Sequence, residues 1–274
     1  MITGASTGIG KACALRLAGL GHRVFAGVRR ASDGRVLVAE GGEAITPVLI
    51  DVADEGSIAA AVAEVEGSLG DAKLVGLVNN AGIAVGGPQE YLPLSEWKRQ
   101  FDVNVFGLVE TTRAFFDLLL AAQGRVVNIS SVGGKVPSPF MAPYSASKFA
   151  VEAITDGLRL EVRPLGMFAS CVEPGAVKTE IWKKGEGWID HLESTMPAKL
   201  NDRYAKPLVG VRKFTTDAAA RGVPAECVAM AVEHALFSRR PRARYAVGPD
   251  ARILIALRWL LPDSIFDKLM SRAV

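Results

Sequence analysis

The sequence predicts an α/β fold: a doubly wound parallel sheet with helices on both faces and a first strand that is nearly absent. Two observations point to it. Short, almost continuous apolar runs alternate with stretches of helical period, the pattern of strands buried on both faces and joined by right-handed crossovers. A glycine-rich turn, Thr3-Gly4-Ala5-Ser6-Thr7-Gly8-Ile9-Gly10, opens the first helical stretch.

Only Met1 and Ile2 precede that turn. In a sheet of this kind the first strand is central, so a stub leaves two neighbours with unpaired backbone groups. The natural start is therefore expected upstream, with added apolar residues raising the melting temperature. Residues 9–20 read as the first helix and 23–28 as a strand. Strands follow at 47–50, 74–78, 125–129 and 168–172, with helices at 57–69, 95–121 and 143–163. From about Lys178 to Thr216 the rhythm fails, in a stretch carrying Trp182, Trp188, Met196, Pro197 and Pro207. Directly after a strand's carboxyl end, residues 178–216 are expected to form a substrate lid; a surface excursion packed by its own aromatics is the alternative. Residues 249–274 form a C-terminal tail. Its apolar core, Ile253 to Leu261, contains Arg258 and stops at Pro262. A packed helix is expected there, against a pocket cover or a membrane-surface helix carrying Trp259.

The 274 residues suit one large domain. A net charge of +3 with scattered basic residues leaves no nucleic-acid footprint. Cys13, Cys171 and Cys227 lie far apart without a Cys-x-x-Cys pair. This argues against disulfides or a metal centre and for a reducing, cytoplasmic setting. The first residues enter the glycine turn directly, so no signal peptide is expected.

Glycines at 4, 8 and 10 permit a tight turn and close backbone approach. The helix behind them offers free N–H groups to a pyrophosphate. This turn at a strand-to-helix joint defines a Rossmann-like nucleotide site and brings in Ser6, Thr7 and Ile9. Arg29 and Arg30 close the second strand where NAD binders often place a carboxylate. An arginine there accepts a 2′-phosphate, so NADP is expected, with NAD as the alternative. Both arginines also read as solvated surface charges. Asp51-Val52 ends the third strand, placing Asp51 to accept from an adenine amine. Asn80, Ala81 and Gly82 end the fourth and flank the adenosine side.

Tyr144 and Lys148 stand four residues apart, which stacks them on one helix face. A cation beside a phenol favours the phenolate and lowers its pKa, so the tyrosine can exchange a proton with an alcohol or carbonyl oxygen. Ser131, after the fifth strand, can donate to a substrate oxygen and stabilise charge on it, with Ser130 as the neighbouring alternative. Asn104 reads either as a satisfied core amide or as the holder of a relay water. The three histidines fall in no strand-end motif, and a serine triad is disfavoured.

Together, Thr3-Gly4-x-x-x-Gly8-x-Gly10, Asn79-Asn80-Ala81-Gly82, Asn104, Ser131, Tyr144-x-x-x-Lys148 and Pro174-Gly175-x-Val177-x-Thr179 resemble the short-chain dehydrogenase/reductase family. The resemblance implies Tyr144 as acid/base, Lys148 lowering its pKa and binding the nicotinamide ribose, and Ser131 polarising the substrate. It further implies Asn104 as anchor of the relay water, and Pro174, Gly175, Val177 and Thr179 around the nicotinamide. Val24-Phe25-Ala26-Gly27, Glu173-Pro174-Gly175 and Arg244-Tyr245-x-Val247-Gly248-Pro249-Asp250-Ala251 resemble the retinol and hydroxysteroid dehydrogenase branch. Glu173 departs from the Asn that many relatives carry.

The expected activity is hydride transfer between NADP and an alcohol/carbonyl pair. A bulky apolar substrate such as a steroid, retinoid or long-chain ketone is expected, because the lid and tail are apolar. The alternatives are a cofactor-binding protein without turnover and a ketoreductase of fatty-acyl type. Weak membrane-surface contact through the tail is a further reading. The family resemblance implies a homodimer or homotetramer paired through residues 95–122 and 143–164.

Overall fold

The computed structural model describes residues 1–180, 190, 192 and 194–271. The strands are β1 (Val24–Val28), β2 (Ile45–Leu49), β3 (Gly76–Asn79), β4 (Arg125–Ile129), β5 (Phe168–Pro174) and β6 (Arg244–Val247). All neighbours pair in parallel, β2 with β1 and then β3-β4-β5-β6 in line. The strand-length gap between β1 and β3 is bridged by the stub at Met1–Thr3. Ile2 pairs with Ala26 on one side and Val78 on the other. Four backbone bonds secure it: Ile2 N to Phe25 O, Gly27 N to Ile2 O, Val78 N to Met1 O and Thr3 N to Val78 O. Beyond Ile2 the slot continues as an apolar cavity of about 170 Å³, bordered by Leu17, Val24, Phe25, Leu74 and Leu236.

Helices α1 (Gly8–Gly19) and α2 (Ala31–Gly41) cross over the amino-terminal half of the chain, and α3 (Glu55–Leu69) follows β2. The sheet separates two apolar layers. Cys13, Ala14 and Leu17 of α1 pack with Val228, Val232 and Ala235 on one face. Ile58 and Val65 of α3 pack with Phe115, Leu119 and Val162 on the other. The division follows strand alternation, with Val24, Ala26 and Val28 to one side and Phe25 to the other.

The helix expected at 95–121 is broken. It runs as α4 (Leu94–Phe101), a π turn (Asp102–Phe106), α5 (Gly107–Ala114) and α6 (Phe116–Ala121). Gly107 follows the π turn and passes so close to Val52 O that a Cβ there would collide with it. α7 (Ala142–Val162) carries Tyr144 and Lys148.

The irregular stretch expected up to Thr216 is also corrected. α8 (Ala198–Arg221) is a long helix that takes Pro207 in its interior and buries Leu208, Thr215 and Ala218. Proline is a breaker in isolation, but an apolar stripe packed on a neighbour offsets its cost of about 3 kcal/mol. Trp182 and Trp188 of the expected lid lie outside the described residues. α9 (Ala225–Phe237) then packs on α1.

The tail folds as α10 (Pro249–Leu260) and α11 (Asp263–Ser271), and the described part is not the packed helix expected. Only Ala251 and Phe266 are buried in these helices, while Trp259 is 85% exposed. Among the described residues, no helix is long and apolar enough to cross a membrane.

Candidate active site

The glycine turn is built by its own backbone and by Asn80. Gly4 and Gly8 have φ of 64° and 56°, the left-handed region that favours glycine. A Cβ on Gly10 would collide with Gly4 O and the Asn80 amide. The Asn80 side chain donates to Thr3 O and Gly4 O, both at 3.0 Å. Thr3 Oγ1 accepts from the N–H groups of Asn80 and Ala81, also at 3.0 Å. Asn80 therefore shapes the turn, and its amide is spent there. Thr7 caps α1 without a side-chain hydrogen bond, and the first turn holds no acidic residue. The first N–H groups of α1 thus suit an anion. Ser6, Gly8 and Ile9 are half-buried around this end.

The other expected cofactor positions line the carboxyl edge of the sheet. Arg29 and Arg30 are exposed after β1. Arg30 forms a forked pair with Asp33 at 3.0 and 3.1 Å, and Arg29 forms no ion pair among the described residues. Asp51 spends one carboxylate oxygen on Ala53 N at 3.0 Å, with Val52 buried beside it. Gly82 sits against Asn104, and its Cβ would fall 3.3 Å from Asn104 Oδ1. Pro174 ends β5, and Gly175 N donates to Val247 O at 2.9 Å. Val177 is buried, and a Cβ on Gly8 would lie 3.2 Å from the Thr179 methyl. The phosphate turn and the nicotinamide-side segment therefore face each other. That cradle fits a dinucleotide.

The catalytic candidates converge at the same edge. Ser131 Oγ accepts from Gly133 N at 3.0 Å, and Ser131 Oγ and the Tyr144 ring both lie against Gly133. Lys148 is buried, donates to Ile129 O at 2.8 Å, and holds its Nζ 5.8 Å from the Tyr144 ring centroid. Burial draws Lys148 down to about 8 against the pull of Cys171 and Glu152. Burial likewise raises Tyr144, and the Ser131 side chain works against it. The lowered phenol expected from the Tyr144/Lys148 spacing is thus not produced by the chain alone. Desolvation favours the neutral phenol and dominates here.

Asn104 lies in the π turn at 2% exposure. Its Oδ1 accepts from Ile83 N at 2.9 Å, and its Nδ2 donates to Ile83 O and Ser147 Oγ at 3.0 and 3.2 Å. The structure favours the satisfied amide that holds the loop after β3 against α7. One turn earlier Gln100, which sequence reasoning missed, does the same. It accepts from Val85 N at 2.7 Å and donates to Ile83 O at 2.9 Å and Ser147 Oγ at 3.3 Å. Its signal was an i,i+4 amide pair inside an apolar helix. A second missed set crosses the sheet. Asn79 donates to Thr112 Oγ1 and Asn128 Oδ1, and Asn128 donates to Thr155 Oγ1. Asp250, also missed, accepts from Ala176 N at 2.7 Å and so ties the nicotinamide-side segment to the tail.

Residues 1–189 match the short chain dehydrogenase family. An NADPH-dependent 3-dehydrocapnine reductase of Ornithobacterium rhinotracheale is 35% identical, covering 98% of this chain and 94% of that protein. The 17-beta-hydroxysteroid dehydrogenase type 6 of Bos taurus is 34% identical, covering 99% and 87%. A short-chain dehydrogenase structure from Streptomyces avermitilis is 28% identical with a TM-score of 0.78, covering 98% and 94%. The ordered motifs, their meeting at one sheet edge and these likenesses agree. The chain belongs to the short-chain dehydrogenase/reductase family, with its resemblance to the retinol and hydroxysteroid dehydrogenase branch, and is an NAD(P)-dependent oxidoreductase acting on CH–OH groups.

Proposed function

We propose that the chain interconverts a bulky apolar alcohol and its carbonyl compound, with NADP as the preferred cofactor. The observation that carries the reading is the meeting of Ser131, Tyr144 and Lys148 beside the Gly8–Thr179 cradle. When bound, the nicotinamide supplies or accepts the hydride. The hydroxyls of Ser131 and Tyr144 bind the substrate oxygen and orient it. Tyr144 exchanges the proton at that oxygen, and Lys148 supplies the positive charge that favours its phenolate. Asn104 and Gln100 act as positioning residues by fixing the Ile83–Val85 loop.

Arg29 supports NADP, because its guanidinium is exposed and uncommitted where a 2′-phosphate would lie. The apolar substrate is supported by the packing of the segment after β5. Leu192, Met196 and Leu208 form a cluster with Tyr91, Leu200 and Tyr204. The likeness to a hydroxysteroid dehydrogenase and to a retinol dehydrogenase of Homo sapiens supports the same class. We place the enzyme in the reducing cytoplasm on its three separate thiols, as a homo-oligomer paired through the α4–α6 and α7 helices. We infer a substrate-lid role for residues 178–216, of which 181–189, 191 and 193 lie outside the described residues.

The test is a paired NADPH and NADH consumption assay across steroid, retinoid and long-chain carbonyl compounds. Consumption with apolar ketones or aldehydes, faster with NADPH, is expected. Cofactor binding without oxidation by any of them would overturn the reading. A membrane-surface reading has one observation in favour, the exposed Ile253, Trp259 and Ile265 on the tail helices. Co-sedimentation with phospholipid vesicles tests it.

A further inference from the structure

Behind the catalytic lysine the structure buries a second set of charges. Glu152 stands one turn beyond Lys148 on the same face of α7. Glu173 lies in β5 immediately before Pro174 and Gly175. Their side chains are 5% and 3% exposed. Lys135 Nζ lies 2.8 Å from Glu152 Oε2 and 3.8 Å from Glu173 Oε1. Arg244 Nε lies 3.1 Å and 3.2 Å from the same two oxygens. The cysteine thiol of Cys171 donates to Glu152 Oε1 at 3.1 Å, and Ser130 hydrogen-bonds the same carboxylate. Asp156, one turn further along α7, engages Arg244 and Arg159. Among the described residues, Glu173 Oε1 is buried without a hydrogen bond.

Three segments of the active site meet in this cluster. Lys135 follows Ser131 by four residues, Glu152 follows Lys148 by four, and Glu173 precedes the nicotinamide-side segment. We propose that Glu173 is a positioning residue of this active site: with Glu152 it forms a buried carboxyl pair holding one exchangeable proton, and the charge of that pair sets the field on Lys148 and the seating of the Pro174–Thr179 segment. The inference rests on the functional reading above.

The physical basis is that two carboxylates in a dry pocket do not both ionise freely. Burial pushes Glu152 up, but hydrogen bonds from Lys135, Cys171 and Ser130 hold it below the usual carboxylate range. Glu173 is pushed up to about 7, first by burial and then by Glu152, against the pull of Lys135 and Arg244. Glu173 therefore keeps the proton and releases it to solvent near neutral pH. Below that point the pair carries one negative charge against the two cations Lys135 and Arg244. Above it the pair carries two negative charges, matched by Lys135 and Arg244, and its Glu152 member supports Lys148 as ammonium.

Two measurements test this. An infrared pH titration of the protein without cofactor is expected to show a protonated carboxyl band that disappears as the pH rises through neutrality, and Glu173→Gln is expected to lack it. The NADPH dissociation constant, followed by cofactor fluorescence, is expected to change its variant-to-parent ratio between about pH 6 and about pH 8, because Gln stands in only for the protonated acid. A merely structural role moves the affinity equally at all pH values. Absence of the band in the parent, or a pH-independent ratio, overturns the proposal. A protein that shows the band and the changing ratio but turns over no substrate keeps this inference and sinks the functional reading.

Discussion

Lys148 points its ammonium at a backbone carbonyl, Ile129 O at 2.8 Å, while standing 5.8 Å from the ring of Tyr144. It therefore acts on the phenol through space. Its own charge is costly, since burial draws it down to about 8. That relationship makes this candidate catalytic lysine a source of instability.

The sign of its effect on stability follows. Below pH 8 both folded and unfolded chains hold the proton, and the burial penalty is fully present. Between about 8 and the ordinary lysine value near 10.5 the unfolded chain holds more protons, so this group's contribution improves as the pH rises. Lys148→Met is expected to lose about 10²–10⁴-fold in turnover. Its melting temperature is expected to gain most on the parent's near pH 7 and least near pH 10. Differential scanning fluorimetry across that range checks this, and a gain that grows with pH would contradict it.

Arg29 and Arg30 differ although adjacent. Asp33 holds Arg30, while Arg29 is uncommitted among the described residues. Arg29→Glu is expected to raise the KM for NADPH by about 10- to 100-fold, the scale of one charge-assisted hydrogen bond. The KM for NADH is expected to change little. Asp33→Asn is expected to lower the KM for NADPH by freeing Arg30. Steady-state kinetics with both cofactors read out each variant, and equal effects on the two would exclude a 2′-phosphate contact.

Gln100 is fully buried and joins Val85 N, Ile83 O and Ser147 Oγ. Gln100→Leu leaves the buried Val85 N–H unsatisfied, while Ile83 O keeps its bond from the Asn104 amide. It is expected to cost about 2 kcal/mol or more of stability, measured as a lower urea midpoint at unchanged slope.

How much was legible in the sequence divides by range. Tyr144 and Lys148 were legible because helical period alone puts residues four apart on one face. The glycine turn was legible because positive φ at Gly4 and Gly8 demands the residue type. Helix α8 was not, since Pro207 argues locally for a break and only packing of Leu208 and Ala218 overrides it. The exposed tail was misread for the opposite reason. Apolar residues at helical period promise a buried face, and no local rule says whether a partner surface exists.

By itself, the sequence determined the alternation of the first five strands read from it with their helices, the nucleotide turn and the candidate reacting side chains, because each rests on local geometry or residue chemistry. Tertiary structure alone decided which groups stay uncommitted. It spent the amides of Asn80 and Asn104 on holding loops and left Arg29 exposed. It also brought Glu152 of α7 against Glu173 of β5. Residues so distant along the chain meet only where crossovers return to one sheet edge, and their charge is set by burial that no spacing reveals.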